Sequence, residues 1–235
     1  MFKYYFILYI FTYLLFCTTA KADGAVVDKV YHPYVLANEQ ELEWRLMSTK
    51  KHDRNVLAQR LGYGHALNER ITLEGYIIAE RDDQFSDFSW QAVELEVRWM
   101  LTEQGQYSAD WGLLFELEKD RILNNWELTT GLLFEKEFGI TSLTINAFVI
   151  NEWGSTLKSE MEFESRVKYR YRWRPALQPA IEIYTGEDFI GIGPAGMGII
   201  RFDKQKQLKW ELGFITELSQ ATREHALRFA IEYEF

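Results

Sequence analysis

Few side chains in this chain are suited to catalysis, and their spacing says little for it. The four histidines are His32, His52, His65 and His225. A hydrolase would need a nucleophile beside a histidine base, or paired carboxylates, at an accessible rim. Ser48 and Ser219 lie close enough in sequence to approach His52 and His225, but ordinary polar loop residues account for them equally well. His32 sits near Tyr31 and Tyr34, and a single histidine does not make a metal site. The acidic group Asp82, Asp83 and Asp87 could hold Ca²⁺ weakly or be a solvated loop. Gly191-Ile-Gly193-Pro-Ala-Gly196 has the form of a dinucleotide fingerprint. Pro194 interrupts it, and Met197–Phe202 reads as strand where a helix is required, so the match is formal only. These residues predict no catalytic group, no cofactor and no metal.

The stronger chemical signal is an ionic face. From Met161 to Trp173 the side chains alternate, with Glu162, Glu164, Arg166, Lys168, Arg170 and Arg172 on one face. Met161, Phe163, Val167, Tyr169, Tyr171 and Trp173 occupy the other. Ala92–Leu101 repeats the pattern, setting Glu94, Glu96 and Arg98 against Val93, Leu95, Val97 and Trp99. Glu116, Glu118, Glu127 and Glu135 extend the acidic set. If these faces share an interior, a basic ladder stands opposite an acidic wall. Such walls would impose a transverse field that orders water and polarises solutes. Alternatively, they would pair and fill the space, because unpaired charge out of water is expensive. Both readings stay open.

Alternation of period two requires strands, and it recurs over about twelve segments from residue 40 onward. Trp111–Leu117, Trp126–Phe134 and Leu208–Phe214 are clear cases. Segments 55–67, 178–185 and 195–202 are weaker, because glycine and proline blur the phase. The four prolines, Pro33, Pro175, Pro179 and Pro194, fall at predicted strand ends or connections. Connections near 68–70, 103–108, 136–139, 174–177 and 203–206 alternate with others near 50–54, 81–88, 119–124, 152–160, 186–193 and 218–224. An even strand number puts both ends of the sheet on one side. The first set are then short periplasmic turns and the second face outward.

Both ends of the chain point to export and a membrane. Met1–Ala22 carries Lys3, an apolar core from Phe6 to Phe16, and Ala20-Lys21-Ala22 as a small-x-small cleavage site, the form of a signal peptide. Cys17, the single cysteine, would leave with it. At the other end, Leu227, Phe229, Ile231, Tyr233 and Phe235 share a face opposed by Arg228, Glu232 and Glu234. This resembles the closing strand of bacterial outer-membrane β-barrels, which end on phenylalanine. The resemblance implies recognition of Phe235 by the barrel-assembly machinery. It covers the whole mature chain at the level of pattern.

A soluble β-barrel or sandwich also alternates, with its apolar face inward. Three observations favour lipid. Many strands approach the roughly nine to eleven residues needed to cross a bilayer. Seven of the eight tryptophans, all but Trp90, fall in the apolar phase as aromatic girdles require. The third is Phe235. A net charge of −9 argues against nucleic acid as a partner. The expected protein is therefore all-β, a single closed antiparallel transmembrane β-barrel of about twelve strands over 39–235. A signal peptide (1–22) and a periplasmic segment (23–38) precede it. Its expected setting is the bacterial outer membrane, against lipid and lipopolysaccharide. The expected role is passage or binding of small polar solutes through a lumen lined by Glu94, Glu96, Arg98, Glu116, Glu118, Glu162, Glu164, Arg166, Lys168, Arg170 and Arg172. A non-conducting structural or adhesion barrel is the alternative, and an outer-membrane lipid hydrolase is a third.

Overall fold

A computed structural model describes residues 28–51, 55–83, 88–154, 159–186, 189–202, 206–218 and 223–235. The expected signal peptide (1–22), His52, Asp87 and Ser219 lie outside these residues. The strands are β1 (Gln40–Lys51), β2 (Asn55–Ala66), β3 (Ile71–Asp82), β4 (Ser89–Met100), β5 (Asp110–Asp120) and β6 (Asn125–Phe138). They continue as β7 (Thr141–Gly154), β8 (Glu160–Tyr171), β9 (Gln178–Thr185), β10 (Ile190–Arg201), β11 (Gln207–Glu217) and β12 (Arg223–Glu234). Each strand pairs antiparallel with its sequence neighbours, and β12 returns to β1, closing a barrel of twelve strands. Closure leaves no row of unpaired N–H and C=O groups, the condition for a sheet to sit in lipid. The seam runs in unbroken register from Glu41↔Glu234 to Lys50↔His225, and Phe235 N–H donates to the Gln40 carbonyl at 2.9 Å beyond its end.

Closure fixes which face is which. Leu42, Trp44, Leu61, Ile77, Leu95, Trp99, Phe163 and Tyr169 stand exposed on the outer wall. Glu43, Arg45, Glu96, Glu135, Lys168, Glu182 and Arg228 are buried inside. Trp90, out of phase by simple alternation, is nonetheless 50% exposed. The β3–β4 register passes from Ile78↔Ala92 to Ala79↔Trp90, so Gln91 is an extra residue that turns Trp90 outward.

The β9–β10 region departs from the expected turns. Residues 190–193 are the start of β10, not connection, and Pro194 lies within that strand, paired with Ile181. Pro179 likewise lies inside β9. On the other side, the β10–β11 ladder passes from Ile192↔Thr216 directly to Ala195↔Gly213. A proline without an N–H sits in that gap at no cost in ladder bonds. Gly193 is needed beside it, because a Cβ there would lie 1.7 Å from the Phe214 carbonyl oxygen.

Residues 28–38 form no strand, as Pro33 suggests, but they do not run outside the barrel. Asp28, Lys29, Val30 and Tyr31 are all buried within it. The segment crosses the interior and passes β5 at Gly112, where a Cβ would lie 3.0 Å from the Pro33 side chain.

Candidate functional site: the charged lumen

The interior is organised around the N-terminal segment. Arg45 on β1, Arg60 on β2 and Arg166 on β8 converge on the Asp28 carboxylate. Arg45 contacts Oδ1, and the Nη1 atoms of Arg60 and Arg166 lie 3.4 and 3.6 Å from Oδ2. Arg45 and Arg60 are direct cross-strand partners. Like charges so placed repel unless an anion lies between them, and Asp28 is that anion. Each arginine also keeps a glutamate of its own: Glu43, Glu94 and Glu164 respectively. The Arg60 guanidinium lies over the Tyr76 ring at 4.2 Å and that of Arg166 over Phe148 at 4.6 Å, fixing their planes.

The segment's backbone is held as carefully as its side chains. The Asp28 carbonyl accepts from Tyr184 Oη at 2.7 Å and Arg228 Nη1 at 3.1 Å. The Lys29 carbonyl accepts from Arg166 Nη1 at 3.0 Å. Asn146 on β7 bonds Tyr31 twice, accepting from its N–H at 2.8 Å and donating to its carbonyl at 2.9 Å. Such side-chain partners replace the ladder that a lone segment lacks. Lys29 Nζ pairs with Glu43 at 2.8 Å, Tyr31 Oη donates to Glu116 at 2.9 Å, and Tyr34 Oη donates to Asp110 at 3.0 Å. The Tyr31 ring packs against Leu114, Leu133 and Phe148.

The basic ladder does face inward, but it is matched by near neighbours. Lys168 lies 3.4 Å from both Glu182 and Glu211, and Arg170 3.0 Å from Glu135. Arg172 pairs with Glu137 at 2.6 Å and donates to the Gly139 carbonyl, next to the β6–β7 turn. Arg228, fully buried, bridges Glu182 at 2.9 Å and Glu211 at 3.2 Å. Glu164 serves Arg166, and Glu162 is half-buried farther along β8. Of the acidic wall, Glu94 pairs with Arg60, and Glu96 lies 3.6 Å from Arg98. Glu116 holds Tyr31. Glu118 and Glu127 are registered partners, half-buried on β5 and β6. The walls therefore do not confront each other across open space, because the N-terminal segment and local ion pairs lie between them.

Among the described residues, two clusters of carboxylates stand close enough to hold a cation: Glu39, Glu41, Glu232 and Glu234, and Glu94, Glu96 and Glu116. Protein cations already serve both. Lys209 Nζ lies 2.8 Å from Glu232 and contacts Glu234, and Arg60 Nη2 contacts Glu94. His32 is a lumen residue, its Nδ1 against Glu135 and its ring stacked 6.3 Å from Tyr34. His225 packs against Phe214 at 5.5 Å, and His65 is exposed on β2.

Alternation alone did not reveal the segment's role, and of the residues that hold it the sequence reading singled out Arg166 and Glu116 but neither Arg45 nor Arg60. Glu41-Leu42-Glu43-Trp44-Arg45 alternates as plainly as β8 does and carries two of the key residues. Asn146 and Tyr184 give no such signal, because polar or aromatic residues on a weakly phased strand fit either face.

No family model and no curated protein matches the chain. Among solved structures, an outer-membrane channel from Pseudomonas putida F1 is similar at 16% identity and a TM-score of 0.55, over 89% of this chain and 99% of that one. The KdgM porin in complex with disordered oligogalacturonate is similar at 11% identity and a TM-score of 0.54, over 83% of this chain and 99% of the porin. The fold is thus that of outer-membrane porins and channels.

Proposed function

We propose that this protein is a channel of the bacterial outer membrane for small polar solutes, described here with its lumen occupied by its own N-terminal segment. The observation that carries the reading is the pairing of an apolar outer wall with a charged interior whose central occupant belongs to no strand. That occupant is held by side-chain contacts, so it can leave without breaking the barrel's ladder. Glu94, Glu96, Arg98, Glu116, Glu118, Glu162, Glu164, Arg166, Lys168, Arg170 and Arg172 then line the passage. The fold's likeness to a porin that holds an oligogalacturonate supports a polar solute. Lipid and lipopolysaccharide surround the wall, and Phe235 at the seam is the residue the barrel-assembly machinery reads.

A second reading has an observation of its own. The lumen's ion pairs and the seated segment fill it, as in a structural barrel. Planar bilayers separate the two. A channel gives stepwise currents that change when Lys168→Glu or Arg170→Glu reverses a lumen charge. Silence from correctly folded protein, both native and with residues 28–35 replaced by a glycine-serine stretch, would establish the structural barrel instead.

A further inference from the structure

We infer that Arg45, Arg60 and Arg166 form a carboxylate-binding site in the middle of the lumen, in which the Asp28 side chain holds the place of a carboxylate-bearing solute. This rests on the channel reading and names the solute class that the passage selects.

Arg45 and Arg60 face each other as a cross-strand pair. Two guanidiniums directly opposed on adjacent strands repel, and burial sharpens the repulsion. Their own glutamates, Glu43 and Glu94, offset the charge but leave donors pointing into the lumen. Arg166 adds a third guanidinium from β8, across the lumen from β1 and β2. All three meet on a single carboxylate, and no strand supplies it. It comes from a segment that, among the described residues, is held to the barrel by side-chain contacts. A planar fork of donors is the geometry that recognises carboxylates. Arg60 Nε and Arg166 Nε are buried and without a hydrogen-bond partner, so the site has donors to spare for a larger acid.

The barrel therefore provides the receptor, and the chain's own aspartate fills it. When the segment withdraws, the site is left for the acid group of a solute. The segment and the solute then compete for the same arginines.

The Asp28 side chain beyond Cα has the shape of acetate, which gives a size-matched test in the full-length protein. The readout is the temperature at which the compact, unheated gel band is lost. Asp28→Gly should lower it, and acetate should raise it again by several degrees at a concentration where chloride of equal ionic strength does not. Asp28→Ala leaves room only for formate, so formate should outperform acetate there. Asp28→Asn, which keeps the shape and fills the site, should respond to neither. Should Asp28→Gly fold poorly, the yield of refolded barrel in acetate against chloride reads the same site. Equal action of acetate and chloride in either measurement overturns the inference, as does an acetate effect that survives adding Arg60→Met. An acetate response, with bilayers silent for both the native protein and the one with residues 28–35 replaced, would keep the carboxylate site and remove the channel.

Discussion

Arg228 shows what a single lumen residue does. Its guanidinium is fully buried and lies within reach of Glu182, Glu211 and the Asp28 carbonyl, so one side chain ties β12 to β9, β11 and the segment. Removing one partner of a buried ionic group leaves charge unpaired, which typically costs about 3–5 kcal/mol. Arg228→Met should therefore lower the stability of the folded barrel by about that amount in urea titrations in detergent. Arg70→Met, at an exposed pair with Glu103, should change stability by less than about 1 kcal/mol. Comparable losses at the two positions would mean that the interior is more hydrated than these contacts imply.

At the scale of elements, the strands were legible because each side of the sheet meets one environment, lipid or charged interior, so period two survives in the sequence. β8 and β12 show this directly. Legibility failed where a local device broke the phase. The extra residue at Gln91 sends Trp90 outward, and Gly193 with Pro194 stays in β10 because β9 continues to pair with it. It failed more seriously for residues 28–35. A segment without secondary structure has no period, and its partners lie on β1, β2, β5, β6, β7, β8, β9 and β12, far apart in sequence. At Gly112 the segment packs against β5 with no room for a side chain, a Cβ there lying 3.0 Å from the Pro33 Cβ. Gly112→Leu should push Pro33 inward and unseat the segment, leaving the closed sheet intact. Higher conductance with an unchanged compact gel band would bear this out, whereas loss of the band would show that the sheet itself depends on that glycine.

At the scale of the whole molecule, closure turns a sequence rich in both aromatic and charged residues into two separated surfaces. The outer one carries Trp44, Trp90, Trp99, Trp111, Trp126, Trp153 and Trp173, all exposed. Brominated lipids should accordingly quench most of the tryptophan emission of the reconstituted protein, and aqueous iodide little of it. The reverse pattern would place the aromatic residues inside. The inner surface has its charges gathered on the seated segment, Arg45, Arg60 and Arg166 meeting on Asp28. Val30, 1% exposed near the start of that segment, is the most direct reporter. In a Cys17→Ser background, Val30→Cys should resist a bulky polyethylene-glycol maleimide while the barrel is folded and react once heat unfolds it. Labelling of the folded barrel as fast as of the unfolded chain would place the segment outside the lumen and contradict its seating there.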